Sequence, residues 1–476
     1  MIFNSFDFLF FLPVVFALHW FVFGKSTKAQ NVLLLVASYF FYACWDWRFL
    51  FLLVFSTGLD YFTGLKMFDA PTKTGKKFWF WLSIVINLGF LGVFKYYNFF
   101  AESFAEMLSE FGFTVHATTL DVILPVGISF YTFHGLSYVI DIYNDKIKPE
   151  RNFIDYSVFV SFFPLLVAGP IERATHLLPQ IQRKRDFKYS QAVDGLRQIL
   201  WGLFMKTVVA DNCAEVVNQV FNSQDTMNPT SLAIGAVFFA FQIYGDFSGY
   251  SNIALGTARL FGVELLRNFA YPYFSRDIAE FWRRWHISLS TWFRDYLYIP
   301  LGGSKGGLKM QVRNTFIIFL VSGFWHGANW TFIVWGALNA LYIMPLVIFK
   351  LNRKNTNIVA ENSIFPSVTE VFQMLITFAI TVLAWIFFRA DNVHDAVSYI
   401  GRLFEVTSYA KPEVSLKPFL FILILIVVEW MQRRKPHGLD IAHIRISWVR
   451  WCIYFFVFLL ILFFAATSDS FIYFQF

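Results

Sequence analysis

Phe6-Asp-Phe-Leu-Phe-Phe-Leu-Pro-Val-Val-Phe-Ala-Leu-His-Trp-Phe-Val-Phe23 is an apolar run of bilayer length whose one charged residue is Asp7. A helix that crosses a membrane needs about 20 such residues. The preceding Met1-Ile-Phe-Asn-Ser has neither the cationic stretch nor the small-residue cleavage site of a signal peptide, so the run is expected to stay as a first crossing. Further runs fall at about 31–46, 49–66, 78–98, 121–143, 191–210, 231–253, 314–328, 329–349, 369–389, 415–431 and 449–467, twelve in all. Composition agrees: the 476 residues are 57% hydrophobic, 21% aromatic and 15% charged, against about 25% charged for a soluble domain. A soluble enzyme and a large extramembrane domain are both excluded. Without a linker or a repeat, residues 1–476 are expected to form a single all-α, polytopic membrane domain.

Charge placement sets the sidedness. With the N-terminus outside, the cytoplasmic loops hold 31 of the 39 Lys and Arg, and the opposite orientation would reverse that bias. Both termini are then outside, including the tail at residues 468–476. The net charge of +7 is thus a loop signal and does not point to nucleic acid. Two apolar stretches cannot be crossings without flipping later loops: residues 153–170 and 269–309, expected as re-entrant or interfacial segments on the cytoplasmic side. Across the second, one helix is expected through residues 281–295. Its apolar face would carry Ile278, Trp282, Trp285, His286, Leu289, Phe293 and Tyr296, with Arg283, Arg284, Ser290 and Arg294 opposite.

Cys44, Cys213 and Cys452 have no ligand or disulfide spacing, so no metal site is expected. Of the nine histidines, His116, His176, His394, His437 and His443 fall in loops, where a solvated imidazole is the plain reading, and His19 is expected to pack at the inner interface. His134, in Gly127-Ile-Ser-Phe-Tyr-Thr-Phe-His-Gly135, lies inside a span and is either functional or a helix-to-helix hydrogen bond. His326, in Ser322-Gly-Phe-Trp-His-Gly-Ala-Asn-Trp330, stands between glycines that allow close approach of a substrate or of a neighbouring helix. Catalysis and a capped hairpin turn are equal readings of it. Asp246, in Tyr244-Gly-Asp-Phe-Ser-Gly-Tyr-Ser251, must have a partner or line a wet cavity, and the Gly245-x-x-x-Gly249 spacing beside it favours close helix packing. Arg283, Arg284, Arg294, Lys305 and Lys309 suit an anionic cytosolic ligand or anionic membrane lipid equally.

Trp282-Arg-Arg-Trp-His-Ile-Ser-Leu-Ser-x-Trp-x-Arg-Asp-Tyr-x-Tyr-Ile-Pro-Leu-Gly-Gly303, Gly323-Phe-Trp-His-Gly-Ala328 and Pro164-x-x-x-Ala-Gly-Pro-Ile171 resemble the membrane-bound O-acyltransferase family over nearly the whole chain. The match is closest to its alginate and peptidoglycan O-acetylation group and more distant to the teichoic-acid D-alanyl transferases. The resemblance implies about twelve helices around a central tunnel in a bacterial inner membrane. It makes His326 the catalytic histidine, with Trp325 beside it, and puts His286 at a second polar position that is Asn in some branches. The tail Phe471-Ile-Tyr-Phe-Gln-Phe476 looks like a motif whose tyrosine takes an acyl group, which makes Tyr473 a candidate relay; an interfacial aromatic anchor is the competing reading.

The chemistry implied is transfer of acetyl from cytosolic acetyl-CoA to an extracytoplasmic polysaccharide. The donor is a substrate, and no bound cofactor is expected. Because the carrier cannot cross, the acyl group alone would pass through the protein. An imidazole with pKa near 6.5 suits a general base, and a phenol needs such a base to attack. The outer loops have no room for a Ser-His-Asp hydrolase-like domain, so a periplasmic acetyltransferase of that type is the expected partner. The alternatives are a family member moving D-alanyl or another acyl group, or a non-enzymatic transporter of a lipid-linked sugar; transporters commonly show repeated halves, which this sequence lacks.

Overall fold

The computed structural model describes residues 1–113, 117–120, 123–166, 169–405, 410–466 and 471–472, and all regular structure among them is helical. Among the described residues, each of the twelve apolar runs overlaps a helix. Six helices among the described residues are both long and apolar enough to cross a membrane: Trp47–Phe68, Lys73–Glu110, Pro229–Leu260, Trp330–Ile348, Val368–Arg389 and Ser447–Phe464. Shorter apolar helices, Phe6–Val22 and Pro418–Met431 among them, occupy other runs. Among the described residues of the run at 121–143, the helix begins at Ile128 and ends at Tyr143, and Gly127 just ahead of it is left-handed at φ 74°.

The chain divides into two compact units, one of residues 1–193 with 257–266, the other of residues 194–256 with 267–476. In the first, polar side chains glue apolar helices. Asp60 on Trp47–Phe68 accepts from Ser83 Oγ at 2.6 Å and Asn87 Nδ2 at 2.8 Å, both on Lys73–Leu91. Such bonds between helices bind segments that gain nothing from hydrophobic burial in lipid. Residues 153–166 form helices of nine and four residues, Phe153–Ser161 and Phe163–Leu166, too short to cross a bilayer. His134 Nε2 accepts the Glu172 N–H at 3.1 Å, so its partner is the chain just before the helix Ala174–Gln182 rather than another span. His19 is fully buried, its ring edge-on to Trp20 and Phe261.

Solvated readings of two loop histidines are corrected. His176 Nδ1 bonds Glu172 at 2.7 Å, and that carboxylate raises its pKa above the ordinary imidazole value. His437 in the second unit is buried and bonds Asp194 at 3.2 Å. His394 and His443 are exposed as expected, and His116 lies outside the described residues.

The second unit is held by close backbone approaches. A Cβ on Gly249 would stand 2.8 Å from the Gly202 carbonyl oxygen, so the spacing with Gly245 does mark tight packing. Gly307–His326 and Trp330–Ile348 form a hairpin whose second helix is capped by Asn329, which accepts the Thr331 N–H at 2.9 Å. A Cβ on Gly323 would collide with the Phe332 carbonyl oxygen. Gly323→Val is therefore expected to pry the hairpin open and destabilise the protein by about 1–3 kcal/mol or more, read as a lowered thermal midpoint in detergent; an unchanged midpoint would refute the tight contact.

The single helix expected through residues 281–295 is corrected. Two short helices, Ile278–Arg284 and Ile287–Phe293, meet at His286, whose backbone is left-handed at φ 43°. The break is imposed from outside the segment: the Ala270 N–H bonds the Arg284 carbonyl and the Ile287 N–H bonds the Asn268 carbonyl, each at 2.9 Å. Of the expected apolar face, Ile278, Trp285, His286, Leu289 and Phe293 are buried, whereas Trp282 and Tyr296 are half-buried.

Candidate functional site

Within the second unit, a cavity of about 160 Å³ is lined by Trp282, Trp285, His286 and Ser290 from the broken segment and by Ser322 and His326 from the long helix of the hairpin. The two imidazoles named from the sequence thus share one wall. His326 ends Gly307–His326, and Trp325, Trp335 and Phe388 close around its ring at centroid distances of 4.8, 5.2 and 5.2 Å. Trp325 also lies 6.1 Å from the His286 ring, so one indole touches both histidines. These rings give the imidazole an apolar surround on the side away from the cavity, where charge interactions are less screened than in water.

His286 packs edge-on against Phe247 at 4.6 Å, and its Nδ1 bonds Asn268 Oδ1 at 3.0 Å. Its Nε2 is buried without a hydrogen-bond partner among the described residues. Neighbouring Asp246 has the partner that its burial demanded: Lys206 Nζ lies 2.7 Å from Asp246 and 2.7 Å from Asp211, all three side chains nearly sealed from solvent. The other Asp246 oxygen accepts the Ile472 N–H at 2.7 Å. Phe471 is buried, its ring tilted against Tyr250 at 4.3 Å and edge-on to Phe247 at 6.2 Å. The described part of the tail is therefore seated inside the protein, against the same Phe247 ring that touches His286. Tyr473 itself lies outside the described residues.

The arginines go elsewhere. Arg283 donates to the Asn352 and Asn355 carbonyls at 2.7 and 2.6 Å, and Arg284 to Glu280 at 2.8 Å and to the Asn357 carbonyl at 3.1 Å. With Arg276 on Glu280 and Asn357, and Arg433 on Val359 and Ala360, they fasten the 352–360 loop. Arg294 pairs with its neighbour Asp295 at 2.8 Å on the surface. None of the three lines the cavity. Sequence reasoning missed Asn268 and the Lys206 partnership. For Lys206 a signal existed, a cation inside an apolar run with Asp211 close behind; for Asn268 there was none.

The chain is similar to proteins of known kind. The family model described as MBOAT, membrane-bound O-acyltransferase family, matches residues 144–388. A probable alginate O-acetylase AlgI of Pseudomonas aeruginosa is 38% identical over 419 residues, which is 87% of this chain and 77% of that protein. A peptidoglycan O-acetyltransferase of Helicobacter pylori is 35% identical over 430 residues, 84% of this chain and 79% of the relative. A teichoic acid D-alanyltransferase of Streptococcus thermophilus is 30% identical over a shorter stretch, 267 residues, covering 51% of this chain and 62% of that one.

Proposed function

The chain belongs to the membrane-bound O-acyltransferase family, and on that premise we propose that it takes acetyl from cytosolic acetyl-CoA and passes it through a central tunnel toward an extracytoplasmic polysaccharide of the alginate or peptidoglycan kind. The observation that carries this reading is the shared cavity: His286 and His326, named from separate motifs, line one aromatic-walled chamber with Trp325 against both.

In this reading His326 takes the phenol proton of Tyr473 as the oxygen attacks the thioester carbonyl. The C–O bond forms, the C–S bond breaks, and the coenzyme thiolate leaves with the proton returned from the imidazolium. The phenyl ester so formed is an activated donor, because phenolate leaves more readily than an alkoxide. A periplasmic acetyltransferase of the Ser-His-Asp type would then receive the group and esterify the polymer. Support for the relay comes from the seat of the preceding residues: Ile472 is held by Asp246, and Phe471 by Tyr250 and Phe247. The interfacial-anchor alternative would leave Phe471 at the lipid surface, whereas it is 1% exposed. The membrane in question is the bacterial inner membrane, with both termini outside.

The test uses the full chain in sealed vesicles with acetyl-labelled coenzyme A. The wild type is expected to release free coenzyme thiol and to carry label on its own polypeptide. Tyr473→Phe, which keeps the ring and removes the nucleophile, is expected to lose the bound label and the transfer to polymer. Undiminished transfer by that variant would defeat the relay, and no thiol release by the wild type would defeat the donor assignment.

A further inference from the structure

Asn268 is buried, and its side-chain oxygen gathers donors from the turn that carries His286: His286 Nδ1 at 3.0 Å, Ser288 Oγ at 2.9 Å and the Ser288 N–H at 3.4 Å. A backbone N–H can only donate, which identifies the atom facing Ser288 as oxygen rather than amide nitrogen. An oxygen there can only accept, so Nδ1 of His286 carries the proton and Nε2 the lone pair. The Asn268 carbonyl accepts the Ile287 N–H as well. One residue thus holds both the ring and the backbone of a histidine whose φ of 43° is a sparsely populated conformation, of the kind that persists only where the surroundings over-determine it.

We propose that Asn268 is a positioning residue that fixes the tautomer and orientation of His286, so that this imidazole meets the substrate only as a hydrogen-bond acceptor through Nε2. The inference rests on the acyltransferase reading above. It assigns the two histidines different work. His326 takes the proton, while His286 holds a donor N–H or O–H of the acyl carrier or acceptor in place. Protonation of His286 would remove that acceptor.

Among the described residues, the rings packed on His286 are Phe247, Phe269 and Trp325, none of them titratable, and His326 shares its cavity wall. On its other side Asn268 lines a small cavity with Arg267, Tyr244, Tyr271, Glu429 and His437, whose charges are common to the wild type and both variants. Asn268→Asp keeps the shape and the acceptor but sets a carboxylate against Nδ1, which favours the imidazolium. Thioester consumption by the full chain in vesicles should then keep its plateau within a few-fold while its acidic limb moves up by about one pH unit. Asn268→Leu should lower kcat by about tenfold or more at every pH. A purely structural role would lower both variants without moving the limb. An Asp variant with the wild-type pH profile, or a Leu variant with the wild-type rate, overturns the assignment. A wild-type chain that consumes no thioester defeats the acyltransferase reading, and this one with it.

Discussion

His326→Ala is expected to cut thioester consumption and polymer acetylation by about 10²- to 10⁴-fold, the usual worth of a positioned general base. The expectation follows from the site more than from the motif. The ring is 5% exposed, caged by Trp325, Trp335 and Phe388, and faces the cavity that also holds His286. His326→Gln serves as the control, because it keeps most of the volume between the aromatic rings and still hydrogen-bonds, yet cannot take up a proton at neutral pH. The Gln variant should therefore match the wild type in yield and thermal midpoint while matching the Ala variant in rate. If instead Gln restores transfer, His326 acts by packing or hydrogen bonding, and the proton must go to another group. If His286→Ala is the more damaging of the two, the assigned roles are exchanged.

How far the sequence carried the reading depends on where each constraint originates. Apolar length is a local property dictated by bilayer thickness, so Trp330–Ile348 and Val368–Arg389 fall where their runs predict. The buried face of residues 278–293 was equally legible, because helical spacing persists on both sides of the break. The break itself was not, since it comes from hydrogen bonds to residues 268 and 270, outside the periodic pattern. Arg283 and Arg284 carried a charge signal suited to an anion, but their partners include backbone carbonyls of the 352–357 loop, and a carbonyl has no sequence signature. Asp246 shows the intermediate case. Burial in an apolar run required a partner, and Lys206, a cation inside another apolar run, was a visible candidate, but nothing local to Asp246 paired the two. The seat of the tail was invisible for the same reason as the helix break, because the group bound there is the backbone N–H of Ile472.

That seat supports the other large effect. Lys206→Met is expected to destabilise the protein by about 3–5 kcal/mol, the cost of leaving buried charge without its partner. The ammonium bridges Asp211 and Asp246 at 2.7 Å each, and all three side chains are 4% exposed or less. Removing it sets two buried carboxylates near each other with the shared cation gone, so the variant should be recovered in poor yield with a much lower thermal midpoint. Replacing the whole group by apolar residues removes the unpaired charges, and such replacements are often neutral or stabilising. Lys206→Met with Asp211→Leu and Asp246→Leu should accordingly regain most of the lost stability. It should not regain transfer, because Leu at 246 offers the Ile472 N–H no acceptor and the segment before Tyr473 loses its anchor. Stability and transfer thereby separate. A single variant as stable as the wild type would show that the ion triad contributes nothing to the fold. A triple variant that recovers transfer together with stability would show that the Asp246 contact with the tail is dispensable, and would leave Tyr473 without the positioning its role requires.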